Sequence, residues 1–324
     1  MISCAVIGAT GLVGSTFLKL IEEVKPKIDR FVFFASKNSA EKKITVLGNE
    51  YTVQELTKDS PKDNFDFAMF FAGGKISEEY AKEFVKHGTT VIDNSSFFRM
   101  DKDVPLVVPE INLSAIGHHK LIANPNCSTI QAVVALYPLH KKYTIKRIVY
   151  STYQAVSGAG KKGIDDLINT SKGLENVKFP YKIYNNCIPH IDDFTPDGYT
   201  KEELKMINET HKILEDDNIK ITATCVRVPV MNCHSECINV EFEHDFDIQD
   251  IKQLLTNSPG IIVEDDTRFN IYPLNEFANN TDDVIVGRIR RDFSVKYGIN
   301  MWVVADNIRK GAASNAMQIL LSLI

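Results

Sequence analysis

Three glycines spaced three apart, in Gly8-Ala9-Thr10-Gly11-Leu12-Val13-Gly14, restrict the fold of this 324-residue chain more than any other feature. They follow a short apolar run, Ile2 to Ile7, and open an amphipathic segment, Leu12 to Val24. Strand, glycine turn and helix in that order start a parallel βαβ unit. The turn's backbone can then close on a pyrophosphate while the helix N-terminus points at it. The spacing is not the commoner Gly-x-Gly-x-x-Gly, and a tight βα turn without a ligand would use the same glycines. The end of the next strand favours the ligand. An NAD site places an acidic residue there, about 20 positions past the glycines, to hold the ribose 2′-hydroxyl. Here Phe31 to Ala35 runs into Ser36-Lys37-Asn38-Ser39, with no carboxylate before Glu41. Hydroxyls and a lysine suit a 2′-phosphate, which predicts NADP. A solvated Lys37 is the plainer alternative, weakened by Ser36 and Ser39 beside it.

The same alternation continues, with strands expected at 2–7, 31–35, 66–72, 89–92 and 121–123 and helices at 12–24 and 76–87. After Cys127 the pattern changes. A helix from Ser128 to Lys141 precedes long alternating strands, Ile145 to Val156, Ile219 to Val228, Glu236 to Phe242 and Val284 to Arg291. Such runs suggest a mixed or antiparallel sheet with helices on one face. The segment Lys310 to Ile324 reads as a helix that packs back onto the first domain. The expected fold is α/β: a Rossmann-like domain over 1–127 plus 307–324, and a second α+β domain over 128–306.

A formal net charge of −5 argues against a nucleic-acid partner, which needs a basic face. No apolar run reaches the ~18–20 residues of a membrane helix. Met1-Ile2-Ser3-Cys4 leads into a strand without a signal-like region, so a cytoplasmic protein is expected. Six cysteines are too sparse for a disulfide framework. Cys233-His234-x-x-Cys237, with Cys225 upstream, invites a zinc reading. Cys225 and Cys237 fall in expected strands, however, and no Cys-x-x-Cys pair is present, so no metal is expected.

Cys127, in Asn124-Pro125-Asn126-Cys127-Ser128-Thr129, sits at the mouth of a helix. There the dipole and the first amides lower a thiol's pKa and can also stabilise an oxyanion. A buried structural cysteine fits poorly in a polar loop. A hydride-carrying cofactor and such a thiol together suggest thioester chemistry.

Several motifs in order carry a resemblance over the whole chain. They are the glycine run, Asp93-Asn94-Ser95-Ser96-Phe97-Phe98-Arg99-Met100, Val107-Val108-Pro109-Glu110-Ile111-Asn112 and the cysteine motif. Gln154-Ala155-Val156-Ser157-Gly158-Ala159-Gly160, Cys225-Val226-Arg227-Val228-Pro229 with His234-Ser235-Glu236, and Ala305-Asp306-Asn307-Ile308-Arg309-Lys310-Gly311 follow. The chain resembles the aspartate-β-semialdehyde dehydrogenases. The resemblance implies reductive dephosphorylation of L-β-aspartyl phosphate by NADPH in amino-acid biosynthesis, on a homodimer whose second domain is catalytic and dimer-forming. By the same resemblance Cys127 is the nucleophile, His234 the acid/base and Gln154 the residue that orients the intermediate. Arg227 is the ligand of the substrate carboxylate, Glu209 that of its amine, and Lys212 and Arg99 those of phosphate, with Asn126 also at the substrate. Gly8, Thr10, Gly11, Leu12, Val13, Gly14, Ser36, Lys37, Ser39, Ala72, Gly73, Ser157, Gly158 and Asn307 line the cofactor. Seven residues of straight strand span ~23 Å, so Arg227 and His234 reach one site only if the chain bends near Pro229. Lys75, after Gly74, stands where the family more often has a small residue; it either approaches the cofactor phosphates or points outward.

Three other readings compete. An N-acetyl-γ-glutamyl-phosphate reductase would share the acyl-phosphate chemistry but has no free ammonium for Glu209 to bind. Glyceraldehyde-3-phosphate dehydrogenase carries another cysteine motif. A non-catalytic NADP-binding redox sensor would keep the glycines but has no use for Gln154, Arg227 and His234 together.

Overall fold

The computed structural model describes all residues 1–324, which divide into two units, Met1–Asn126 with Ala312–Ile324, and Cys127–Gly311. The crossings thus fall at 126/127 and 311/312. Cys127 and residues 307–311, expected in the first domain, belong to the second unit.

In the first unit the strands are β1 (Ser3–Ile7), β2 (Arg30–Ala35), β3 (Lys43–Val46), β4 (Asn49–Thr52), β5 (Gln54–Glu55), β6 (Phe67–Phe70), β7 (Thr90–Asp93) and β8 (Leu121–Ala123). The helices are α1 (Leu12–Val24), α2 (Gly74–Lys86) and the short α3 (Pro109–Asn112). Six strands form one parallel sheet in the order β5-β2-β1-β6-β7-β8, and β3 and β4 form a separate hairpin. The order reverses at β1, where the chain leaves the sheet into the glycine turn; in doubly wound sheets that switch point is where ligands bind. Because the sheet is covered on both faces, its strands read as unbroken apolar runs. Cys4, Val6, Phe31, Phe33, Met69 and Ile92 belong to one core cluster with Phe17, Leu20 and Ile21 of α1. Ile7, Phe34 and Phe70 are also buried, and Phe34 meets Phe65 and Phe70 meets Phe84 edge to face.

The second unit contains α4 (Cys127–Tyr143), β9 (Ile145–Gln154), α5 (Lys161–Ser171), α6 (Lys201–Leu214), β10 (Lys220–Arg227), β11 (His234–Phe242), α7 (Ile248–Thr256), β12 (Ile261–Val263), α8 (Asn275–Ala278), β13 (Val284–Asp292) and β14 (Gly298–Ala305). Its strands make one mixed sheet ordered β10-β9-β11-β14-β13-β12. Alternate residues of β9 and β11, including Tyr150, Thr152, Gln154, His234 and Glu236, are buried, while Val149, Ser151, Tyr153 and Cys237 are half-buried or exposed. The opposite face carries Tyr153 against Trp302, with ring centroids 5.3 Å apart. The chain then returns to the first unit as α9 (Ser314–Leu321), whose Ala316, Met317 and Leu320 join the cluster around α1. No helix is long and apolar enough to cross a membrane.

Candidate active site

Three strand ends build the site in the second unit. β10 runs parallel to β9, with Arg227 opposite Gln154, and β11 runs antiparallel to β9, with Ser235 opposite Tyr153. Arg227, Gln154 and His234 therefore stand at one edge of the sheet on neighbouring strands. The connection from β10 to β11 turns at Pro229, where the Val230 N–H donates to the Val228 carbonyl at 2.8 Å. It then crosses the end of β9, held by Val156 N–H to Val230 O and Ser157 N–H to Met231 O. The bend that the Arg227 to His234 spacing requires is this crossing. Cys233, at φ +69°, delivers the chain into β11.

Cys127 is the first residue of α4, and its Sγ lies 3.3 Å from His234 Nε2. One turn further along, Gln131 Nε2 donates to the His234 carbonyl at 3.3 Å, so helix and strand are tied at the level of the thiol. The other ring nitrogen, Nδ1, accepts the Ala155 N–H at 3.0 Å. A nitrogen that accepts carries no proton, so the neutral ring holds its proton on Nε2 and presents it to the sulfur. Burial and the neighbouring Arg227 pull the His234 pKa down to about 3. His234 is thus a neutral donor over the working pH range.

Gln154 is fixed at both ends of its amide. Its Oε1 accepts the Thr152 hydroxyl at 2.9 Å and its Nε2 donates to Glu202 Oε1 at 3.0 Å. Glu202 in turn pairs with Lys205 at 3.0 Å, and Lys205 with Asp192 at 2.7 Å. Burial disfavours the charge on Lys205, but Glu202 and Asp192 more than offset it and hold its pKa above the ordinary lysine value. Burial likewise lowers the Arg227 pKa, against the opposing influence of Glu202 and Cys127. The Arg227 Nη1 donates to the Ala155 carbonyl, and its buried Nε has no partner within the protein. Burial and Glu202 raise the pKa of Glu236, two residues along β11 from His234, well above the ordinary carboxylate value. A Cβ on Gly158 would lie 3.0 Å from Arg227 Nη1 and 3.2 Å from His234 Cε1. A side chain there would fill the space between them.

The acid-and-lysine pair beside Gln154 is Glu202 and Lys205, where Glu209 and Lys212 were expected. Helix α6 carries Glu-x-x-Lys twice, seven residues apart, so both pairs recur on similar sides of the helix. Glu209, also buried at 1% exposure, lies two turns or about 10 Å further along. What decides between the pairs is the start of α6, where Thr200 and Glu203 form a capping box and Glu203 Oε1 also accepts the Cys225 N–H at 3.0 Å. That bond ties the first turn, not the third, to the sheet edge. Thr200-x-x-Glu203 was readable as a helix start, and would have set Glu202 nearest the strand ends. Gln131 left no sequence signal.

The remaining site residues divide between the units. Ser157 and Asn307 lie in the second, where Ser157 Oγ donates to Asn232 and accepts from Asn307, whose Oδ1 accepts the Cys233 N–H. Arg99 and Asn126 lie in the first, with the Arg99 guanidinium donating to the Asn124 and Asn94 carbonyls, both at 2.9 Å. The glycine turn fits a pyrophosphate. Gly8 has φ +84°, and a Cβ on it would lie 2.8 Å from the Phe71 carbonyl carbon. Gly11 caps α1 with no side-chain hydrogen bond to the helix end and no acidic residue in its first turn. Thr10, Leu12 and Val13 complete the turn. Ser36 and Lys37 are exposed past β2 and Ser39 is half-buried there. Ala72, Gly73 and Lys75 are exposed at the start of α2.

Two family models match the chain: "Semialdehyde dehydrogenase, NAD binding domain" over residues 3–119 and "Semialdehyde dehydrogenase, dimerisation domain" over residues 136–310. The aspartate-semialdehyde dehydrogenase of Aquifex aeolicus is 53% identical, over 97% of this chain and 96% of its own. That of Bacillus subtilis is 45% identical, over 98% and 96%. Among solved structures, aspartate semialdehyde dehydrogenase II from Vibrio cholerae, complexed with ASA, superposes with a TM-score of 0.95 at 42% identity, over 100% of this chain and 98% of that one. The Candida albicans enzyme with NADP has a TM-score of 0.80 at 27% identity, over 100% and 98%.

Proposed function

The chain belongs to the aspartate-semialdehyde dehydrogenase family, and on that premise we propose that it converts L-β-aspartyl phosphate to L-aspartate semialdehyde and phosphate, reversibly, in the cytoplasm. The observation that carries the mechanism is the contact of Cys127 Sγ with His234 Nε2 while Nδ1 is occupied by a backbone N–H.

The Cys127 thiolate, accepting the Nε2–H, attacks the acyl carbon of the substrate. A carbon–sulfur bond forms, the carbon–oxygen bond to phosphate breaks, and phosphate leaves with the electron pair. The glycine turn would hold the pyrophosphate of NADPH, with Ser36, Lys37 and Ser39 as donors for its 2′-phosphate, and the bound cofactor would supply the hydride that reduces the thioester. The hemithioacetal oxyanion then collapses to the aldehyde and expels the thiolate. Neither addition nor collapse requires net proton transfer to the sulfur, so a ring fixed as an Nε2–H donor suffices to stabilise both the thiolate and the oxyanion. Arg227, with a buried unpaired Nε–H, binds the substrate carboxylate. Glu202 is the ligand for the ammonium group and Lys205 for the phosphate, in place of the roles first expected of Glu209 and Lys212. Ser157, Gly158 and Asn307 are the cofactor residues of the second unit. The half-exposed sheet face around Tyr153 and Trp302 pairs with a second copy to make a homodimer.

The test is absorbance at the nicotinamide band with aspartate semialdehyde, phosphate and NADP. Phosphate-dependent NADPH formation is expected from the wild type and none from Cys127→Ser. A folded, NADP-binding wild type with no turnover would sink this reading in favour of a redox sensor or an acylated glutamyl substrate.

A further inference from the structure

Between α5 and α6 the chain runs from Lys172 to Thr200 without a helix or a ladder strand. Loops of that length in a compact domain are uncommon and are usually functional or disordered. This one is anchored. Asp166, on α5 and 1% exposed, accepts three successive backbone N–H groups, from Val177, Lys178 and Phe179, at 2.7, 2.7 and 2.9 Å. A second tie follows, from the Tyr184 N–H to the Thr170 hydroxyl at 3.2 Å. Ile183 and Ile188 then enter a small core with Val156 and Leu167, and Phe179 packs against it.

Both ends of this anchored stretch reach Arg227. Ile188 exchanges two backbone hydrogen bonds with it, N–H to O at 2.9 Å and O to N–H at 2.8 Å. The Phe179 ring lies under the guanidinium, with Cζ 5.9 Å from the ring centroid. The guanidinium is therefore held by the Ala155 carbonyl through Nη1 and by an aromatic face, and its buried Nε–H has no partner within the protein. An aromatic face attracts a cation without using its N–H groups, so it can fix the plane of the fork and keep donors for a ligand.

We infer that Phe179 and Asp166 are positioning residues for carboxylate recognition: Asp166 fastens the 177–179 backbone, and the Phe179 ring sets the plane in which Arg227 meets the substrate. The inference rests on Arg227 being the carboxylate ligand. It makes the 172–200 segment a substrate-specificity element as well as a connection.

Steady-state kinetics in the direction of NADPH formation test it, with Phe179→Leu, Phe179→Tyr, Asp166→Asn, Arg227→Lys and the Phe179→Leu/Arg227→Lys double variant. Loss of one cation–π contact predicts a KM for aspartate semialdehyde about fivefold higher in Phe179→Leu. The KM values for NADP and phosphate and the rate of Cys127 alkylation by iodoacetamide stay within about twofold of wild type. Phe179→Tyr, which keeps the ring, restores the KM, and Asp166→Asn shifts it in the same direction as Phe179→Leu. In the Arg227→Lys background Phe179→Leu has no further effect. Equal losses in all three KM values and in alkylation would make the role merely structural and overturn the inference, as would additivity in the double variant. If Arg227→Lys raises the KM and Phe179→Leu does not, the inference alone falls. If Arg227→Lys leaves the KM unchanged, the carboxylate role of Arg227 falls, and the inference with it.

Discussion

The two units solve the problem of holding a ligand with different materials. In the first, the glycine turn offers backbone: Gly8 at positive φ, Gly11 at the helix cap, and a helix end with no side-chain hydrogen bond to it. In the second, the site is made of side chains gathered from five places in the sequence, Cys127, Gln154, Glu202, Arg227 and His234, each locked by a hydrogen bond or ion pair to another element. A backbone site is a local object and survives only if nothing is added to it. A side-chain site is a product of strand register and fails when one member is exchanged.

Adding a methyl group to the backbone site should have the largest effect. Gly8→Ala combines a positive φ with a 2.8 Å clash against main chain, a cost of about 3 kcal/mol. NADP affinity should fall about a hundredfold by titration calorimetry. Iodoacetamide should still alkylate Cys127 at the wild-type rate. A parallel loss of thiol reactivity would break the contrast between the two materials. The choice within α6 sharpens it. Glu202→Gln should lower kcat/KM for aspartate semialdehyde by about a hundredfold, by loss of a buried charged partner. Glu209→Gln should act on thermal stability instead; the reverse outcome would return the ligand role to Glu209.

Acid stability comes next in size. A histidine with its pKa at about 3 in the folded protein and about 6.5 when unfolded binds its proton only on unfolding between those values. Stability is therefore complete above about pH 6.5 and falls as pH drops towards 3, by about 2 kcal/mol at pH 5. Urea unfolding of His234→Gln should show that increment missing. Should wild type and variant keep the same difference from pH 8 to pH 5, His234 is not buried in its neutral form. A smaller effect is expected for Gly158→Ala, whose methyl group would sit 3.0 Å from Arg227 Nη1. Either group can shift by a few tenths of an ångström, so kcat/KM should fall only about tenfold, near 1.4 kcal/mol. NADP affinity should fall little, and a loss above a hundredfold would mean that the corner cannot yield.

The contrast also explains what could be read from residues alone. The parallel sheet, the helices at 12–24 and 76–87 and the return of the C-terminal helix follow from apolar period and glycine position, and the structure places them within a few residues. The 43–46/49–52 hairpin escaped because its strands are short and half-exposed. The strand Gly298–Ala305 escaped although it sits inside the second sheet, because it is buried nearly throughout and lacks alternation. Cys127, Gln154, Arg227 and His234 carry recognisable motifs and do converge. Glu202 and Gln131 do not, because α6 offers two equivalent registers and a helix glutamine has no local mark. Sequence periodicity says which face a residue takes; only the capping box and the Cys225 contact say which turn of that face meets the strand ends.

One backbone N–H, that of Ala155, has a consequence beyond orientation. A ring that gains and loses charge during a reaction forces everything polar around it to rearrange at each turnover, and that rearrangement is part of the barrier. With burial and Arg227 keeping the ring neutral, this amide fixes which nitrogen carries the proton and makes His234 a permanent dipole. The cost of aiming it is met once, when the chain folds, and each catalytic cycle begins with that part of the reorganisation already complete.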